Sequence, residues 1–292
     1  MIPRQLRVAR PTTWAQYLVM VCALVGCAAD ENYSRPPTEG DTCDDACVQR
    51  ELRTILAILD RGRIQDARDR LETMRPRPSM SDPMLRLVLA ILALEGGEPT
   101  QALIHAEWLS VHARTPSVAA MTCRILVRLG EARRAATFAQ QRVNEGLASP
   151  SLYLELANAW EALGQQAPAL RALQDGLLTS PNDPILLETA AARADAAGDR
   201  ATAIELYARA IPHHASPALM HEAIARVATE AARYDLAVTH ARQAVELAGD
   251  QDPQLYRVLH DALLGSGDAD AARAALERGR RRFPQATILG ES

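Results

Sequence analysis

The chain has 292 residues, 32 basic and 36 acidic side chains and a formal net charge of −4. Every basic residue is arginine, which excludes chemistry that needs a lysine amine, such as Schiff-base formation. A mildly acidic chain gives no reason to expect binding to nucleic acid or to an anionic membrane surface, although the cluster Arg278–Phe283 leaves an anionic contact open beside its reading as a polar helix end. Aromatic residues make up only 4%, so any core is built from leucine, alanine, valine and isoleucine.

At the N-terminus, Arg4, Arg7 and Arg10 precede an apolar run from Trp14 to Cys27, and no acidic residue occurs before Asp30. That run is shorter than the roughly 20 apolar residues of a membrane-spanning helix. Its layout is that of a secretory signal: a charged start, a short apolar core and small residues at a cut site. The tetrad Leu24-Val25-Gly26-Cys27 resembles the bacterial lipobox. The resemblance implies a signal peptide over 1–26, diacylation of the Cys27 thiol and cleavage of the bond before it. Three arginines would leave with the signal, moving the net charge from −4 to −7. Residues 27–45 then read as the lipidated cysteine and a flexible tether, "AADENYSRPPTEGDT", too polar and proline-containing to fold alone. Ala28, rather than aspartate, follows the cysteine. By the enterobacterial sorting rule this implies the outer membrane of a bacterial envelope, facing the periplasm.

Cys43 and Cys47 follow, in "TCDDAC". Beyond the inner membrane two nearby thiols often pair, and a spacing of four on a helix brings them within reach once the first turn distorts. A Cys43–Cys47 disulfide is expected, with free thiols or pairing to another protein as the open alternatives. Metal ligation there lacks a third ligand in the neighbouring sequence.

From residue 46 the chain repeats itself. In "LYLELANAWEALGQQAPALRALQDGLLTSP", Tyr153, Leu156, Ala157 and Trp160 share one side of a first helix and Gly164 marks a turn. Ala169, Leu173 and Gly176 lie on a second helix, and Pro181 ends the unit. This pattern resembles the tetratricopeptide repeat, a helix-turn-helix unit of about 34 residues. The small residue at the helix crossing recurs in phase as Ala67, Ala102, Ala135, Ala169, Ala203, Ala237 and Ala272. Five residues before each stands a turn residue: Gly62, Gly97, Gly130, Gly164, Gly198, Ala232 and Gly267. Cys123 matches Ala157 and Ala191 as a buried small residue, whereas the outer repeats depart, with Ile55 and His260 at that position. The resemblance implies an all-α fold, a right-handed α-solenoid of about seven repeats over 46–286, followed by a tail at 287–292. Prolines such as Pro83, Pro116, Pro150, Pro184, Pro217 and Pro253 fall near unit junctions, where they end or begin helices without breaking them. The apolar face of the second repeat, Met84, Leu87, Val88, Ile91 and Leu94, either takes a partner helix or is covered by the first repeat, and covering is expected.

No catalytic pattern is present: there is no Gly-rich phosphate loop, Gly-x-Ser-x-Gly or His-Glu-x-x-His. His213, His214 and His221 lie close in sequence, but no carboxylate pattern completes a metal site. No cofactor, no metal and no catalytic residue is expected. The resemblance implies instead a non-catalytic scaffold or adaptor that binds a protein segment along its first helices, in contact with the membrane only through the lipid. A pilotin-like or outer-membrane assembly role belongs to this class; a groove for a cell-wall or lipid small molecule is the alternative. The repeat positions that usually face inward hold Arg124, Arg128, Glu155, Asn158, Glu161, Glu188, Asp195, Glu222, Arg226, Glu230, Arg257 and Asp261. Acidic residues dominate this set, so a neutral-to-basic segment is the expected partner. The carboxylate-clamp mode of chaperone-binding relatives is not expected, because Leu154 replaces its first lysine beside Asn158.

Overall fold

The structure is a computed structural model that describes residues 45–75 and 78–289. The signal, Cys27, the tether and Cys43 lie outside the described residues. Cys47 is disulfide-bonded, and its expected pairing with Cys43 rests on a residue outside that range. Among the described residues there are fourteen α-helices in seven consecutive pairs and no strand. Among the described residues no helix is long and apolar enough to cross a membrane.

The pairs are α1 (Asp45–Asp60) with α2 (Ile64–Thr73), α3 (Pro83–Glu95) with α4 (Pro99–His112), and α5 (Pro116–Arg128) with α6 (Ala132–Arg142). Then come α7 (Pro150–Ala162) and α8 (Gln166–Thr179), α9 (Pro184–Ala196) and α10 (Arg200–Ala210), α11 (Pro217–Glu230) and α12 (Tyr234–Ala248), and α13 (Gln254–Gly265) with α14 (Ala269–Arg282). The structure divides into two compact units at Gln165/Gln166, inside the fourth pair, although the alanine period runs on unbroken through Ala169.

Local chemistry sets both ends of each first helix. Proline occupies the first turn of α3, α5, α7, α9 and α11, where its missing N–H and fixed φ do no harm. A short polar residue precedes it, and in all but α11 its side chain caps the helix: Asp82 accepts from the Met84 N–H at 2.8 Å, Ser149 from Leu152 at 3.2 Å and Asp183 from Leu186 at 2.9 Å. At the other end every first helix closes in one geometry. Gly198 N–H donates to the Asp195 carbonyl at 2.9 Å and Asp199 N–H to the Ala194 carbonyl at 2.9 Å, the pair of bonds of a Schellman cap. Such a cap needs a left-handed residue, and the seven turn residues of the sequence period all have positive φ, from 56° at Ala232 to 88° at Gly267.

Within the first unit, α1 packs on α3, α3 on α5 and α5 on α7, while each second helix packs on its own first helix. Leu52, Ile55, Leu87, Ile125, Leu126, Leu152 and Leu156 fill this core. On the second-repeat face Leu87, Val88 and Ile91 are buried under α1 and its neighbours, as expected, so they do not await a partner. The second unit, α8–α14, is built alike, with Leu173, Leu186, Leu187, Met220 and Ile224 in its interior. All seven crossing alanines are at most 2% exposed, which is what two helices need to approach closely. Thr287–Leu289 form a short 3-10 turn: Leu289 is 1% exposed, and Arg280 Nε donates to its carbonyl at 2.6 Å, closing the end of the last pair.

Candidate functional site

In the first unit, the inward positions of α5 and α7 form a dense polar cluster. Arg124 Nε donates to Glu155 Oε1 at 2.8 Å, and Asn158 Nδ2 to Glu155 Oε2 at 3.3 Å. The Glu155 side chain is 2% exposed and that of Arg124 is 17% exposed. Two buried charges are tolerable because each satisfies the other. The thiol of Cys123 donates to the Glu155 carbonyl at 3.5 Å, so this cysteine is buried as expected, and burial pushes its thiol well up from the ordinary value. One turn further on, Arg128 Nη1 meets Glu95 Oε1 at 2.5 Å. Asp60, at the end of α1, completes the cluster: burial pushes its carboxyl up to about 6, against the pull of Arg124 and Arg61. Glu161, at the end of α7, is exposed.

The second unit carries the remaining expected residues. Asp195 on α9 pairs with Arg226 on α11 at 3.0 Å. Arg226 also meets Glu230 at 3.3 Å, and Glu230 meets Arg200 of α10 at 3.4 Å. Glu188 accepts from His214 Nε2 at 3.2 Å, while His214 Nδ1 accepts the Ser216 N–H at 3.0 Å, which places the imidazole proton on Nε2. Glu222 is half-buried, and burial first, then the nearby carboxylate of Asp252, raises its carboxyl above the usual range. On α13, Arg257 and Asp261 pair with each other at 3.2 Å, and His260 Nδ1 lies 2.8 Å from Asp261.

The twelve residues read from the sequence therefore lie on first helices, five in the first unit and seven in the second. In the first unit Arg124, Arg128, Glu155 and Asn158 are engaged with one another or with Glu95, and Glu161 is exposed. In the second unit Arg257 and Asp261 pair with each other, while Arg226 and Glu230, both exposed, half-buried Glu188 and Glu222 and the mostly buried Asp195 are together net acidic. Sequence reasoning missed Asp60, Glu95 and Asp252, and weighed His214 only as a metal ligand. Glu95 had a signal: it stands 33 residues before Arg128, one repeat earlier at the same position. Among the described residues no group of three His, Cys, Asp or Glu side chains is arranged to hold a metal, and His214 and His221 face different partners.

No protein-family model matches the chain, and no curated protein matches it in sequence. Solved structures do match in fold. The C-terminal part of a TPR repeat-containing protein from Cytophaga hutchinsonii superposes with a TM-score of 0.59 at 13% identity, over 82% of this chain and 97% of that one. The MamA protein gives 0.52 at 13% identity, over 62% and 98%. Pseudomonas aeruginosa PilF gives 0.51 at 17% identity, over 68% and 90%. With the seven in-phase helix pairs, their crossing alanines and their left-handed turns, these likenesses give the chain the tetratricopeptide-repeat fold, an all-α solenoid of helix-turn-helix units.

Proposed function

We propose that this chain is a non-catalytic scaffold of a bacterial cell envelope, held by lipid at Cys27 on the periplasmic side of the outer membrane. It binds a neutral-to-basic protein segment, in the manner of a pilotin-like or outer-membrane assembly adaptor. The observation that carries the binding part is the division of labour between the units' first helices. In the first unit the inward charges satisfy one another. In the second, Glu188, Asp195, Glu222 and Glu230 face two arginines, Arg226 and Arg200, leaving a net negative face on α9–α11. Such a face steers a basic segment to it and holds it less well as salt rises. The anchor rests on the Leu24–Cys27 tetrad and the polar stretch behind it.

Two measurements test this reading. The tagged protein is crosslinked in membranes and its partner captured, with and without Glu188→Arg and Glu222→Arg together. Capture is lost while the helical circular-dichroism signal stays. Undiminished capture by the folded double variant overturns the inner-face reading. Glu155 is left alone in this test, because its reversal would break a buried pair and not only a surface. For the anchor, labelled fatty acid enters the parent protein and not Cys27→Ala. A Cys27→Ala protein that keeps the label and still fractionates with membranes refutes it.

A further inference from the structure

Within the second unit, two imidazoles face each other across a single helix pair. His221 of α11 and His240 of α12 bring their Nδ1 atoms to 2.8 Å, with ring centroids 5.0 Å apart and planes tilted by 32°. His221 is 9% exposed and His240 is half-buried. Two nitrogens at that distance make a hydrogen bond only if one carries a proton and the other a lone pair. The pair therefore holds one Nδ1–H between its two rings when both are neutral. A proton on the accepting nitrogen removes the bond by setting two N–H groups against each other, and a further proton on the donor ring's Nε2 makes both rings cations.

The elements packed most closely on this pair are α10 and α13, and α9 reaches α11 through Asp195 and Arg226. Tyr207 of α10 interacts with Arg226, Asp195 and Glu188, and Asp252, ahead of α13, acts on Glu222. The carboxylate that follows His221 in sequence, Glu222, acts with Asp252 and Arg226. His240 is lowered by burial and by His221, and His221 by burial.

We propose that His221 and His240 are a proton-operated joint of the second unit. With one shared proton they tie α11 to α12, and a proton taken from water onto the accepting Nδ1 at mildly acidic pH breaks that bond, drives the rings apart and loosens that pair of helices. Because α11 also carries Glu222, Arg226 and Glu230, the joint sits directly behind the acidic face, yet it operates whether or not that face holds a partner. Both rings are held below the ordinary histidine value, by burial and, for His240, also by His221. The unfolded chain thus binds protons that the folded one refuses. Stability is full above the unfolded value of about 6.5 and is lost as pH falls through the depressed folded values.

The test uses the full chain labelled at histidine nitrogens and titrated by NMR from pH 8 to 4.5. At the alkaline end one of the two rings is protonated at Nδ1 and its partner accepts there. On acidification His221 and His240 titrate in two separate steps. In His221→Gln the His240 step moves upward by about one unit, because the like charge is gone. A single coincident step in the parent, or a His240 step that does not move in the variant, overturns the proposal. Thermal melting gives a second reading. Between pH 7.5 and 5.0 the midpoint of the parent falls further than that of the His221→Gln/His240→Gln double variant, the other five histidines being common to both. Equal falls overturn it as well.

Discussion

Six of the seven first helices end on a left-handed glycine, and the sixth helix pair ends on Ala232, with φ 56°. That exception permits a clean experiment. An L-residue with a Cβ pays about 1–2 kcal/mol to adopt this conformation. Glycine pays nothing there, but its unfolded chain is freer, which costs about 0.4–1 kcal/mol. Ala232→Gly should therefore stabilise the protein by about 0.5–1 kcal/mol. The reverse change at the equivalent turn of the same unit, Gly198→Ala, should destabilise it by a similar amount. A Cβ at Gly198 would meet nothing within 4 Å, so its cost is conformational and not a clash. In both turns the Schellman bonds are intact, Ala232 N–H to the Thr229 carbonyl at 3.0 Å and Arg233 N–H to Ala228 at 2.8 Å. Urea unfolding followed by circular dichroism reads the result as opposite shifts of the midpoint with an unchanged slope. In thermal melts each kcal/mol moves the midpoint by about 2–4 °C for a body of this size. If Ala232→Gly lowers stability, or Gly198→Ala leaves it alone, backbone strain at the turn is not what sets the choice of glycine.

Two further substitutions test the packing and the first-unit cluster. Ala203 is fully buried where α10 crosses its neighbours, and Ala203→Leu should cost about 1–3 kcal/mol by forcing the helices apart; an unchanged melting temperature would remove it from the crossing. Asp60 is pushed up to about 6 from an ordinary 3.8, so its ionisation opposes folding, and the penalty grows as pH rises from about 4 to above 6. Because much of the group is solvated, the effect is discounted to about 1 kcal/mol. Asp60→Asn should thus raise the unfolding midpoint at pH 7.5 and leave it unchanged at pH 4; equal effects at the two values would dissociate the change from ionisation.

The helix pairs were legible because close crossing is a strict local demand. Only a small side chain fits at Ala67, Ala135 or Ala237, so the period survives at 13% identity to solved structures of the same fold. The glycine punctuation was legible for the same reason, and even Ala232, which breaks the residue rule, keeps the conformation. The prolines held more than was read from them: aspartate, serine or threonine followed by proline recurs at residues 82–83, 115–116, 149–150, 183–184 and 216–217, and at each the proline opens a first helix. The division at Gln165/Gln166 was not legible, because the repeat pattern passes through it without a change of phase. Nor was the state of the inward charges. Repeat position tells that Arg124 and Glu155 share a face, but whether such a pair meets water, a partner or each other depends on side-chain reach across a helix interface. The His221–His240 contact was hidden likewise, since it joins a first helix to a second helix and the two residues occupy unrelated repeat positions.

The inward ion pairs bear on how the repeats find their order. Arg128 and Glu95 are 33 residues apart, and Arg124 and Glu155, like Arg226 and Asp195, are 31 apart. Each pair thus links first helices one repeat apart. Alanine crossings are alike in every repeat and do not distinguish one neighbour from another; charges of alternating sign do, because a wrongly stacked repeat buries like charges or leaves one alone. This argues that Arg124–Glu155 is kept for register and not for strength, and the two roles have different signatures. Removing one partner leaves a charge without compensation. Arg124→Met strands Glu155, at 2% exposure, and should cost about 3–5 kcal/mol. Glu155→Leu should cost less, since Arg124 is 17% exposed and its long side chain reaches water. Replacing both should recover most of the loss, because an apolar pair of similar volume avoids the desolvation that the ions suffer, less about 1 kcal/mol for the lost Asn158–Glu155 hydrogen bond. Urea midpoints of the parent, the two single variants and the double variant close a thermodynamic cycle whose coupling term measures the pair. A double variant no more stable than Arg124→Met would mean that the ion pair contributes net stability that apolar packing cannot replace, and the register argument would fail.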